Sequence, residues 1–106
     1  MPKYLWNVSY TREGATGLLA EGGTKRRDAI ERMLKSVGGR MEALYYAFGS
    51  SDLVVIAELP DHAAAAALSL VTAAGGAASS STTVLLTAEE LDEATRRQVE
   101  YRLPGE

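Results

Sequence analysis

The residues best suited to chemistry fall into three groups. The first is Gly22-Gly23-Thr24-Lys25-Arg26-Arg27, which sets two glycines and three cations at the start of a segment of helical periodicity. A helix opening there presents free backbone N–H groups and a partial positive charge, so Gly23, Thr24, Lys25, Arg26 and Arg27 form a candidate site for a phosphate or carboxylate. The competing reading is that the glycines stop the preceding turn, Thr24 caps the helix and the basic side chains stand in water. The P-loop spacing is absent. The second group is Tyr10, Tyr45, Tyr46 and Asp52, in which phenols can donate to a ligand in a cleft and the aspartate can orient it or act as a base. Aromatic residues of strands also serve as core or interface, and an aspartate in a turn also bonds its own backbone. The third is His62, the single histidine, with only Asp61 beside it. One such pair does not make a metal site, so His62 is expected to be exposed and idle, and no metal is expected.

These residues need a scaffold, and the apolar pattern provides one. Tyr4, Trp6, Val8 and Tyr10 alternate with Leu5, Asn7 and Ser9, the period of a strand. Thr11 can cap a short helical turn through Leu18-Leu19, which Gly22-Gly23 stops. From Thr24, the residues Ala29, Ile30, Met33, Leu34 and Val37 recur at helical spacing until Gly38-Gly39. Arg40 to Phe48 and Leu53 to Glu58 read as the strands of a hairpin turning at Gly49-Ser50-Ser51-Asp52. Asp61 is placed to cap an alanine-rich helix that runs to Ala74, and Ser80 to Leu86 makes a fourth strand. Thr87-Ala88-Glu89-Glu90 has capping-box spacing and starts a polar helix that runs to Val99, with a thin apolar stripe suited to an edge.

The order β-α-β-β-α-β with an extra C-terminal helix predicts an α+β, ferredoxin-like fold. It has an antiparallel four-stranded sheet with both main helices on one face. No linker or repeat interrupts it, so residues 1–106 read as one domain.

Composition narrows the function classes. The chain has 106 residues, 46% of them apolar and 24% charged, which suits a folded globular domain. With 11 basic and 14 acidic residues the net charge is −3, which argues against general nucleic-acid binding. The absence of cysteine removes disulfides and thiol nucleophiles, and it suits a reducing cytoplasm. The start, MPKYLWNVSY, lacks the apolar run of a secretory signal, so a cytoplasmic protein is expected. Residues 63 to 88 carry no charge, but Gly75-Gly76 divides them, and no membrane association is expected. No G-x-S-x-G, H-E-x-x-H or G-x-G-x-x-G motif occurs, which leaves hydrolase, zincin and dinucleotide readings without support and predicts no cofactor.

The hairpin strands are apolar on both sides. Met41, Ala43, Tyr45 and Ala47 alternate with Leu44, Tyr46 and Phe48, and Leu53, Val55 and Ala57 alternate with Val54 and Ile56. A sheet covered by helices on one face should be polar on the other. Four strands present about 350 Å², worth up to about 9 kcal/mol before the cost of association. Together with the aromatic content, this predicts a homo-oligomer joined through the open sheet face. The rival is that the C-terminal helix or tail covers that face.

Four ordered segments, M-P-K-Y-L at the start, E-G-G-T-K-R-R, Y-Y-A-F-G-x-x-D and L-L-T-x-E-E, together resemble the GYD domain family across residues 1 to 96. Gly49-Ser50-Ser51-Asp52 keeps the glycine and aspartate of the family's signature but has Ser51 where tyrosine is expected. The resemblance implies a ferredoxin-like subunit of the dimeric α/β-barrel class and no particular activity. The leading expectation is a homo-oligomeric domain, without established catalysis, that binds a small anionic or aromatic molecule or serves regulation or assembly. A cofactor-free enzyme of monooxygenase or isomerase type and a protein-partner module are the alternatives.

Overall fold

The computed structural model describes residues 1–106. The elements are β1 (Lys3–Tyr10), α1 (Arg12–Glu21), α2 (Gly23–Ser36), β2 (Arg40–Tyr46), β3 (Leu53–Glu58), α3 (His62–Gly75), β4 (Ala78–Leu85) and α4 (Ala88–Arg96). The four strands form one antiparallel sheet in the order β2-β3-β1-β4. No helix is long and apolar enough to cross a membrane.

Alternation decides which side chains meet the helices. Tyr4 and Trp6 of β1 and Leu53, Val55 and Ala57 of β3 point to one face. There they join Ile30 and Leu34 of α2, Ala65 and Leu68 of α3, and Leu59 in the buried cluster. At roughly 25 cal/mol per Å² of apolar surface withdrawn from water, this cluster is the main favourable contribution to folding. Asp61 caps α3 by accepting from the Ala64 N–H at 2.9 Å. Gly76, in the left-handed region with φ 72°, ends that helix.

Three features differ from the sequence reading. The short turn after Thr11 is a ten-residue helix, α1, which Thr11 caps by accepting from the Gly14 N–H. Thr24 does not cap α2. Gly22 stands at the junction with φ 86°, a conformation costly for any residue with a Cβ, and serves as the end of α1 and the start of α2 at once. Several ends also move: β2 stops at Tyr46, β4 begins at Ala78, and α4 stops at Arg96.

The open face differs too. A bulge between Met41 and Ala43 adds one residue to β2, so Met41 sits opposite Ala57 and packs against the core, away from Ala43 and Tyr45. The apolar part of the open face is therefore a patch of Leu5, Ala43, Tyr45, Val54 and Ile56. Asn7, Ser9, Ser79 and Ser81 share this face and make its other half polar. Ion pairs Lys3–Glu42, at 2.8 Å, and Arg40–Glu58 close one end. The C-terminal segment does not cover the patch. Every residue from Leu86 to Glu106 is exposed, and α4 lies against no edge of the body.

Candidate functional site

Between the sheet and the two main helices lies a small, half-open cleft of about 70 Å³. Its walls come from β1 (Trp6, Val8, Tyr10), α2 (Arg26, Ile30, Met33), β3 (Leu53, Val55), α3 (Leu68, Ser69, Thr72) and β4 (Ala78, Ser80). Mostly apolar walls with a few polar groups are usual in a small-molecule site, and this volume admits only a small one.

Two polar groups in that lining are incompletely satisfied. The Tyr10 hydroxyl and Arg26 Nε are buried and have no hydrogen-bond partner. Tyr10 ends β1, where the alternation that buries Tyr4 and Trp6 turns it to the same side. Arg26 stands on the first turn of α2, one turn before Ile30, and so shares the inward stripe. Burial pushes the Tyr10 phenol above its ordinary value, Tyr46 adds to this, and the Arg26 cation pulls the other way. The phenol is therefore neutral at pH 7. Arginine carries only donors and the phenol oxygen can accept from it, so the pair as a whole still has a hydroxyl proton without an acceptor.

The basic constellation thus divides. Only Arg26 enters the cleft. Lys25 and Thr24 stay exposed, Arg27 contacts Asp28 at 3.4 Å, and the Gly23 carbonyl accepts from the Tyr46 hydroxyl at 2.9 Å. Helix α2 has no side-chain cap, and its start adjoins the end of α1.

The tyrosine set divides as well. Tyr45 and Tyr46 are neighbours on a strand and point to opposite faces, which leaves Tyr45 on the open face and 72% exposed. Tyr46 joins Tyr10 and Asp52 in a shallower groove with Leu18, Leu19 and Phe48. Burial raises the Tyr46 phenol too, against the pull of Arg26. The Asp52 carboxylate accepts from the Tyr10 N–H at 2.8 Å, and the Asp52 N–H donates to the Val8 carbonyl, also at 2.8 Å. Asp52 is accordingly a backbone clip that fixes where β1 ends and where the Tyr10 ring begins.

His62 is not idle. Its Nδ1 lies 2.6 Å from the hydroxyl of Tyr4, which is only 1% exposed, so the histidine satisfies a buried phenol. No three metal-binding side chains come together.

The model of the GYD domain matches residues 4–95, most of the chain. The protein belongs to the GYD domain family. No curated protein and no solved structure matched it. The matched span runs from the second residue of β1 through nearly all of α4, so Tyr10 and Arg26 lie within it. Sequence reasoning named both residues, but placed Tyr10 among strand tyrosines and Arg26 on a surface helix start. The missing signal was their shared inward register, which spacing gives for each element alone but not for the two together.

Proposed function

We propose that this GYD domain is a homodimeric binding module whose cleft takes a small, largely apolar acid, with Arg26 and Tyr10 holding its anionic end. One observation carries the reading: the buried Tyr10 hydroxyl and Arg26 Nε converge on a mostly apolar cleft with donor protons that no acceptor takes up. Leaving such groups unpaired costs about 1–3 kcal/mol each, and a carboxylate would satisfy both. The apolar walls would take the remainder of the molecule.

The proposed assembly is a ferredoxin-like subunit paired face to face as a dimeric α/β barrel. The strand order β2-β3-β1-β4 supports it, as do the apolar open-face patch and the surface area. The chain exposes 7511 Å², whereas a compact monomer of its mass exposes about 5,700 Å². The excess, about 1,800 Å², includes the exposed residues 86–106 as well as the open face, and it surpasses the roughly 800 Å² per partner that a stable dimer buries.

Benzoate and its neutral isostere benzamide test the cleft. Benzoate should raise the melting temperature, benzamide should not, and Arg26→Gln should abolish the benzoate effect. Equal shifts from the two compounds, or an undiminished shift in Arg26→Gln, would overturn the reading. Tyr10→Phe should weaken benzoate binding about tenfold while leaving stability unchanged or raised by about 1 kcal/mol, because a buried unpaired hydroxyl is removed. A stability loss in calorimetry with unaltered benzoate affinity would instead make that phenol structural.

A further inference from the structure

Helix α4 is well specified by its own sequence yet buries nothing. The Thr87 hydroxyl accepts from the Glu90 N–H at 3.1 Å, and the Glu90 carboxylate accepts from the Thr87 N–H at 3.0 Å, a complete capping box. Beyond the box, Glu93 and Arg97 pair at 2.8 Å one turn apart. No residue of the helix is buried, although Leu91 lies on it and Leu86, Val99, Tyr101 and Leu103 flank it, all more than half exposed.

The chain's shape agrees. Its radius of gyration is 16.8 Å and its longest extent 56 Å, against about 13 Å expected of a compact domain this long. A nine-residue helix is marginal by itself in water and gains its stability from packing an apolar face.

We infer that α4 is an exchanged arm that packs on a second copy of this chain, across the β2 edge and the C-terminal half of α2. The inference rests on the face-to-face dimer proposed above. β4 and β2 are the two edges of the sheet. Leu85 lies opposite Lys3, Lys3 opposite Glu58, and Glu58 opposite Arg40, so the end of β4 and the start of β2 share one end of the sheet. A two-fold axis between stacked sheets and parallel to the strands exchanges edges but keeps ends. It therefore carries Leu85 of one copy over Arg40 of the other, from where α4 would reach round the β2 edge to the C-terminal half of α2 on the far side of that copy's sheet.

Charge is compatible with that surface. Glu89 and Asp92 of α4 have no ion-pair partner within the chain, and neither has Arg32 of α2, which is exposed. Val37 and Met41, half-buried beside the core at that end, are where the Leu91 stripe would rest.

The chain has no cysteine, so single exposed cysteines report proximity without background. Asp92→Cys and Arg32→Cys chains, mixed and oxidised, should give a covalent pair that neither chain forms alone. Adding Leu91→Asp should remove the crosslink and weaken the dimer about tenfold in sedimentation equilibrium, with core melting unchanged. A dimer that persists in sedimentation without any crosslink would overturn the arm and leave the face-to-face pairing standing. A species of one chain at every concentration would overturn both.

Discussion

The two faces of the one sheet are built by the same strands and differ in what each leaves unfinished. On the covered face, Tyr4, Trp6, Leu53, Val55 and Ala57 are sealed by α2 and α3, and the residual need is for a hydrogen-bond partner to the Tyr10 hydroxyl and Arg26 Nε. On the open face the charged groups have partners, Lys3 with Glu42 and Arg40 with Glu58, and the residual need is for cover over Val54, Ile56 and Tyr45. A single strand such as β3 takes part in both because its period of two sends alternate residues to opposite sides. On the proposed reading, the covered face takes a small molecule and the open face a second chain.

The sharpest way to break that comparison is to truncate neighbours on β3. Leu53 is 1% exposed, and Leu53→Ala should cost the subunit about 2–5 kcal/mol in urea unfolding, from lost transfer energy and the cavity left behind. Ile56→Ala, facing the other way, should show its effect as weaker association that depends on protein concentration. Were the two variants to lose equal stability under conditions that keep the chain monomeric, the faces would not be distinct.

Next in size is the phenol at the far end of β1. His62→Ala should cost about 1 kcal/mol, because the Tyr4 hydroxyl, 2.6 Å from Nδ1, loses its side-chain partner, while the exposed position of His62 lets water take part of its place. Adding Tyr4→Phe should return part of that loss, since no unpaired group remains. A double-mutant cycle in urea checks it, and strictly additive losses would show that the pair is uncoupled.

These residues also mark how far sequence alone reaches. The faces of β1 and β3 were legible, because alternation is strict there: Tyr4-Trp6-Val8-Tyr10 against Leu5-Asn7-Ser9, and Leu53-Val55-Ala57 against Val54-Ile56. The caps Asp61 and Thr87 were legible too, being local chemistry within four residues. The bulge at Met41 was not, since one inserted residue leaves an apolar run looking continuous. Helix α1 was read as a turn because Gly14 and Gly17 dilute its pattern, yet glycine is needed at 14: a Cβ there would stand 2.0 Å from the Ala77 carbonyl oxygen. The meeting of Tyr10 with Arg26, and of Tyr4 with His62, joins residues distant in sequence. Only packed strands and helices bring them together.

The smallest expected effect lies on the open face and changes with pH. The hydrogen bond and charge of Arg40 hold the Glu58 carboxyl below its ordinary value, and Lys3 adds to this. A carboxyl depressed in the fold contributes stability that is present above its unfolded value, about 4.3, and is lost as pH falls through the depressed one. Lys3 behaves oppositely: its bond to Glu42 raises it, so its contribution is complete below about 10.4 and fades as pH rises through the raised value. The ionic end of the open face should therefore weaken at both extremes, while the apolar patch beside it does not titrate. Arg40→Gln should lower stability slightly at neutral pH, and the difference from the parent chain should vanish in strong acid. At 1 M salt, where screening acts over about 3 Å, the neutral-pH difference should shrink as well. Urea unfolding at matched protein concentration measures both, and a difference that survives acid would place the role of Arg40 in packing of its stem along β2, not in its charge.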